Sequence, residues 1–490
     1  MAKDIWLDES VEWRGHWWLP GDADNSVPGI LRYEPEDGLH LELIGGFEDR
    51  NLRQFDGGFD VLEGHKNWPM ILGTCRNTKI TLLGCFPIHS SRSFFSYETN
   101  GPDEQTISVT TALTGVHLTT RDDRIFSKCL ISVENLGQWS GSHVFSSTFG
   151  TTDGQLNGNS SITLKRTESP TAKVDGATVT LRHESVLASF DDVRAHSTAS
   201  MRDAVCVSVA PEAPMTVAEA QDWASAIQDL VSLGTDQACA VLRLELRIPL
   251  DMEMLPDGYP VHDHSAFVYN RGIVRGHGSA PAVEPRDMLF TCDDIPFDDV
   301  LPLWWTVRAK FSASIGMLLG LKYSPAQYVE SKLLSVAGAA ESFHRALGIA
   351  EKHMPDEDFK TFRKSLLEIT PKDYQAWIKD AVRNSKASLR ARLRGIAHRL
   401  DSDAMAILIP DVEEWARKST RARNALAHTG EAPDYTTEEL HAVVTVTSAV
   451  VTMNLLIELG LPGDKQRELA NENPGLQYAS DLATQFLTAA

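Results

Sequence analysis

The side chains best suited to chemistry lie in the stretch Ala422 to Gly430, where Arg423 and Asn424 are followed by His428. An imidazole titrates near neutrality, so it can take a proton from a ribose 2′-hydroxyl or give one to a departing 5′-oxygen. A guanidinium stays charged and can stabilise the extra negative charge of a phosphorane. The Asn amide can orient either the phosphate or the imidazole. Together these groups suffice for RNA cleavage without a metal. The spacing alone is weak, because Arg271 with His277, Arg392 with His398, and Arg421 with His428 fit the same loose pattern. What separates Arg423 is context: the polar Asn424 follows it, and only Ala425, Leu426 and Ala427 stand between that residue and His428. Asn424 and His428, four apart, share one face of a helix, and Arg423 flanks it. On the residues alone, a merely solvated polar stripe carries equal weight.

A helix must hold these groups, and the sequence supplies one. Pro410-Asp411 opens a helix that runs through Trp415 toward His428. Further helices are expected around it. One covers Phe297 to Gly320. Another is capped by Ser324, with Pro325 first and Gln327 three on, and its buried face runs Val329, Leu333, Val336, Ala340, Phe343, Leu347. A third opens at Thr370-Pro371. A last one, with Thr436 and Glu439 at capping-box spacing, ends at Gly460 and Pro462. Its uncharged stretch Ala442 to Ile457 includes Thr445, Thr447, Ser448, Thr452 and Asn454 and falls short of the roughly 18–20 apolar residues of a membrane span. It reads as a buried bundle helix.

Before residue 296 the pattern is one of short strands. Leu31 and Tyr33, the turn Pro35-Glu36-Asp37-Gly38, then Leu39, Leu41 and Leu43 predict a hairpin. Asn77 to Phe86, Ala177 to Phe190 and Ala238 to Leu250 are further strands. Thr151 to Ser161, rich in Gly and Asn, reads as a loop. One helix interrupts, announced by Thr216 and Glu219. The fold class is therefore α+β: a β-rich unit over residues 1–295, then an all-α bundle over 296–490.

Charge divides at the same place. The chain of 490 residues has 46 Lys+Arg and 67 Asp+Glu, a net charge of -21 that would ordinarily argue against a nucleic-acid partner. Residues 1–305 hold 23 basic and 44 acidic side chains, whereas 306–490 hold 23 of each. Within 306–430 the balance is 21 basic to 14 acidic. The acid-free run Arg383, Lys386, Arg390, Arg392, Arg394, Arg399 offers phosphate contacts, or an ordinary solvated helix face. The deficit thus belongs to the first part and leaves the bundle eligible.

These residues resemble the ApeA-type HEPN family. Arg423-Asn424-x-x-x-His428 in a helical bundle is similar to the HEPN motif of Arg, a polar residue and His. Glu341, in Glu341-x-x-His344-Arg345, takes the position of a Glu that faces the catalytic helix in that subgroup. Gly15 to Phe47, followed by Ile71 to Cys85, resembles the N-terminal domain that accompanies the bundle, while residues 140–290 carry little of the likeness. The resemblance implies an antiphage, abortive-infection endoribonuclease. It implies homodimers that set two motifs across a shared cleft, and cleavage leaving 2′,3′-cyclic phosphate and 5′-hydroxyl ends with no cofactor. Glu341 would orient Arg423 or His428, or neutralise Arg423 at rest.

An RNA with exposed single-stranded loops, transfer RNA among them, is the expected substrate. The acidic first part is expected to sense a phage-derived protein and to restrain the bundle. The alternative is a non-catalytic HEPN module for RNA binding or dimerisation, with a ligand-sensing β unit. A third reading takes Trp6, Trp13, Trp17 and Trp18 as a carbohydrate-binding cluster, although such spacing is more often packing. Metal sites at Cys75, Cys85 and His89, or at His262 and His264, lack the spacing of a four-ligand zinc site, so no metal is expected. The acidic N-terminus has no signal-peptide pattern and the six cysteines form no C-x-x-C pair, so a cytoplasmic protein with reduced thiols and no membrane partner is expected.

Overall fold

The computed structural model describes residues 6–47, 50–55, 58–91, 103–142, 144–249, 263–349, 354–383 and 385–489. The chain divides into two compact units, residues 1–283 with 291–293, and residues 284–290 with 294–490.

The first unit is built on strands. β1 (Val11–Trp18), β2 (Val27–Glu34) and β3 (Gly38–Ile44) form an antiparallel meander. The predicted hairpin is present: Leu31 faces Leu41, Tyr33 faces Leu39, and Gly38 takes the positive φ of +86° that closes its turn. β4 (Arg50–Phe55) and β5 (Gly58–His65) pair as a separate ribbon. β6 (Trp68–Cys75), β7 (Thr78–Ser91) and β8 (Glu104–Thr114) follow. Pairing of β3 with β8, β8 with β7, β7 with β6 and β6 with β1 closes a six-stranded barrel, which leaves these strands no open edge there. Its interior is filled by Trp17, Leu31, Leu41, Ile71, Ile80, Leu82 and Ile107. The Trp17 indole lies over Gly73, its partner on β6, where an added Cβ would stand 2.1 Å from the ring. Trp13 meets Tyr269 edge-on at 4.9 Å and Trp18 meets His117 at 5.5 Å, while Trp6 lies beside Arg243. The four tryptophans therefore have separate neighbours and form no shared platform for a sugar.

β8 is used twice. β3 pairs with its first half, Glu104 to Val109, and β16 (His264–Asn270) with Thr111 to Thr114 on the same edge. From β16 the same sheet continues through β15 (Val241–Ile248), β9 (Lys128–Val133), β14 (Ser197–Pro211), β13 (Ala177–Asp192) and β12 (Thr171–Val174). Among the described residues this unit has two α-helices, the short α1 (Leu136–Trp139) and α2 (Val217–Gly234), which packs on β9 and β15. α2 starts at the expected capping box, with Thr216 and Glu219 bonding reciprocally. The expected loop at Thr151 to Ser161 is instead the turn and inner strands of a hairpin, β10 (Phe145–Thr152) and β11 (Gln155–Leu164). Asp153 and Gly154 have φ of +51° and +77°, the geometry of a two-residue hairpin turn. That turn overrides the poor strand propensity of Gly and Asn.

The second unit is helical. α3 (Phe297–Lys310) and α4 (Ser312–Tyr323) replace the one long helix expected, broken at Phe311, which takes φ of -114° and ψ of 23°. Its ring instead stacks on Phe343 at 4.3 Å. α5 (Val329–Leu347) begins later than Ser324 and Pro325 suggested, because Ser324 closes α4. α6 (Asp356–Ile369) and α7 (Lys372–Ala381) form a hairpin, and α8 (Leu389–Ala397) and α9 (Ser402–Leu408) lead to α10 (Val412–Thr429). The chain then enters α11 (Thr437–Glu458), α12 (Gly463–Glu472) and α13 (Pro474–Phe486). α11 starts at the expected Thr436–Glu439 capping box. It is long and apolar enough to cross a membrane by length and composition, yet its side chains are mostly buried against α5, α8, α10 and α13. Polar links also fasten neighbours to it. Trp415 on α10 donates to Thr447 at 3.2 Å, and buried Asn454 donates to the Ile396 carbonyl at 2.9 Å while accepting from Arg399.

Candidate active site

α10 is well defined at both ends. Asp411 accepts from the Glu414 amide at 2.9 Å, Glu413 and Glu414 fill the first turn, and Gly430 at φ +78° ends it. Trp415, Ala416, Ser419, Ala422 and Leu426 are buried, which fixes the helix about its axis. The opposite stripe carries Arg417, Arg421, Asn424 and His428 outward. With Arg390 of α8, Thr420 and Ala425 they line an open depression of about 520 Å³.

Asn424 and His428 share this face, as their spacing predicted. Arg423 takes a different course. Its Nη2 pairs with Glu341 Oε1 of α5 at 3.1 Å, and its Nη1 donates to Asn424 Oδ1 at 3.2 Å. It lies outside the lining of the depression, half-buried between α10 and α5. Six consecutive residues of α10 thus carry the three candidate groups, with the carboxylate of a second helix holding the guanidinium.

The basic run beside the motif is not a single surface. Arg383 and Lys386 are exposed. Arg390 and Arg394 both pair with Glu413, at 2.9 and 2.6 Å. Arg399 is tied to Asn454 and Glu458. Arg392 is corrected: it is only 7% exposed, with Nε donating to the Ala387 carbonyl, so it braces the start of α8 and offers no cation to RNA. Sequence reasoning missed Arg417 and Arg421 as parts of the site. The signal was present, since 417, 421, 424 and 428 follow one face of a helix at steps of three and four. Arg417 chelates Glu414 through Nε and Nη2 at 2.7 and 2.6 Å. That hydrogen bonding holds the Glu414 carboxyl below its usual range and raises the guanidinium. Arg421 pairs with Asp434 at 2.7 Å.

Among the described residues no group of three or more His, Cys, Asp or Glu side chains is placed to hold a metal ion. Burial in the barrel pushes the Cys85 thiol up, which opposes the thiolate a metal would need. The His262 of the other metal reading lies outside the described residues.

A barrel-bearing strand unit followed by a helical bundle, with Arg, a polar residue and His on one bundle helix, defines a two-part protein of HEPN class. A family model described as ApeA N-terminal domain 1 matches residues 12–304, and one described as Apea-like HEPN matches 334–465, which includes Glu341 and Arg423 to His428. The chain belongs to the ApeA-type HEPN family, a family of antiphage HEPN nucleases. No curated protein and no solved structure gives a significant match.

Proposed function

We propose that this protein is an abortive-infection endoribonuclease that cuts RNA by attack of a ribose 2′-hydroxyl on the adjacent phosphorus. The O2′–P bond forms as the P–O5′ bond breaks, leaving a 2′,3′-cyclic phosphate and a 5′-hydroxyl. His428 serves as the general acid/base, taking the 2′-hydroxyl proton or delivering one to the departing 5′-oxygen. Asn424 positions the phosphate or the imidazole. Arg423 neutralises the phosphorane, and Glu341 holds its guanidinium in place. In a homodimer of the helical unit two such motifs share the cleft. Arg383, Lys386, Arg390 and Arg394 add phosphate contacts. No step draws on a cofactor. The substrate is RNA with exposed loops, such as transfer RNA, and the reaction belongs in the cytoplasm. The first unit receives a phage-derived protein, and its acidic charge keeps RNA from the bundle until then.

The observation that carries this reading is the arrangement of Asn424 and His428 on one open face, with Arg423 beside them in the grip of Glu341. That same grip favours a second reading, a non-catalytic module that binds RNA or dimerises, because Arg423 is engaged by a carboxylate instead of opening on the depression. Cellular RNA integrity separates the two. Wild type is expected to fragment RNA on infection, and Arg423→Ala and His428→Ala are expected to leave it whole at equal protein levels. Equal fragmentation by all three would exclude the proposed site. Equal fragmentation of purified RNA by the activated protein with and without EDTA is expected.

A further inference from the structure

The reading above assigns RNA contacts to the run before α10, yet of that run only Arg390 lines the depression with His428, and Arg417 and Arg421 of α10 join it there. Arg417, Arg421, Asn424 and His428 stand at steps of four, three and four residues along α10, and Arg390 of α8 closes the same depression. At 1.5 Å per residue, Arg417 and Arg421 are about 6 Å apart along the axis, and Arg421 is about 10 Å from His428. Each of these arginines has a carboxylate from its own unit: Arg390 with Glu413, Arg417 with Glu414, Arg421 with Asp434. The Arg421 and Asp434 side chains are 60% and 63% exposed, and Arg390 and Glu413 are 44% and 52% exposed. Solvated pairs of this kind hold weakly and exchange readily for a competing anion.

We infer that Arg390, Arg417 and Arg421 form a track for successive phosphates of a single RNA strand, leading to His428, and that Glu413 and Asp434 occupy it as exchangeable counterions, while Glu414, only 15% exposed and held by two hydrogen bonds, stays on Arg417. A strand laid along α10 replaces the two exchangeable carboxylates with phosphates and brings one ribose to the imidazole. The inference rests on the ribonuclease reading and adds the direction from which RNA enters. It makes a two-signed prediction that a purely structural role for these pairs does not make. Removing an arginine weakens RNA binding, whereas neutralising an exchangeable carboxylate strengthens it.

The test uses full-length His428→Ala protein purified in its activated state from infected cells, which binds without cutting, and a fluorescent unstructured oligoribonucleotide titrated at several salt concentrations. Arg417→Ala and Arg421→Ala, each added to that background, are expected to flatten the dependence of log affinity on log salt by about 0.7, one phosphate contact each. Asp434→Asn is expected to tighten binding several-fold at low salt. Thermal unfolding of every variant is followed in parallel, and Arg421→Lys, which keeps the charge, is expected to retain most of the slope. If the His428→Ala parent binds RNA with a salt-dependent affinity that none of these substitutions changes, the track is wrong and the ribonuclease reading stands. A parent that binds no RNA at any salt overturns both.

Discussion

The two units take opposite attitudes to charge. In the strand unit, residues 1–283 with 291–293, 39 acidic side chains outnumber 22 basic ones, and the order comes from apolar closure around Trp17. In the helical unit the counts are close, 28 acidic to 24 basic, and acids sit opposite bases around the candidate site: Glu341 with Arg423, Glu413 with Arg390 and Arg394, Asp434 with Arg421. The difference teaches that net charge describes the wrong scale. On the reading proposed above, a nuclease face fits within a chain of net charge -21 because its cations are kept locally and paired with carboxylates that phosphate is expected to displace.

The strongest way to break this comparison is at His428. His428→Gln should lower RNA cleavage by about 10²- to 10⁴-fold, the range of a general acid/base. The side chain is exposed, so the unfolding temperature should stay within a degree or two; both are read on one purified preparation. The barrel should show the reverse pattern. Trp17→Ala empties the space over Gly73 and should cost about 3–5 kcal/mol in denaturant unfolding. Gly73→Ala, whose new methyl meets the indole, should cost about 1–3 kcal/mol or more by overpacking.

Two smaller effects sharpen the contrast. Asn454→Ala removes one donor to the Ile396 carbonyl and one of the two acceptors of Arg399, which keeps Glu458, and should cost about 0.5–1.5 kcal/mol in the helical unit. Tyr33 donates to the Leu7 carbonyl at 2.7 Å, and burial raises its phenol to about 12. A raised folded value means that this stabilisation is complete below the unfolded value of about 10 and fades as pH rises through about 12. Alkaline unfolding of the strand unit should therefore begin in that window, and Tyr33→Phe should flatten the pH dependence there. Glu341→Gln should change stability by less than about 1 kcal/mol, because the pair is partly solvated, while lowering cleavage through a looser Arg423.

Much of the helical site was legible in the sequence because its determinants are local. Asp411 with Glu414, Thr436 with Glu439, and the four-residue step from Asn424 to His428 act within one or two turns. The hairpin at Pro35 to Gly38 was legible for the same reason. What escaped depends on distant partners. Nothing near β8 announces that β3 and β16 divide one of its edges, so barrel closure could not be read. Arg392 looked like its neighbours in a basic run until the Ala387 carbonyl drew it inward. The start of α5 was misplaced because Ser324 and Pro325 make a plausible cap, yet Ser324 already ends α4. The hairpin of β10 and β11 is hidden in the sequence because its Gly and Asn residues have poor strand propensity, and the Asp153-Gly154 turn that imposes it occupies only two positions.

The ends of the cut RNA report which bond breaks and whether His428 breaks it. RNA fragments made by the activated full-length protein should carry 2′,3′-cyclic phosphates and 5′-hydroxyls, and should be absent when His428→Ala replaces the wild type. Fragments ending in a 3′-hydroxyl, or cyclic ends that persist in the His428→Ala protein, would contradict it.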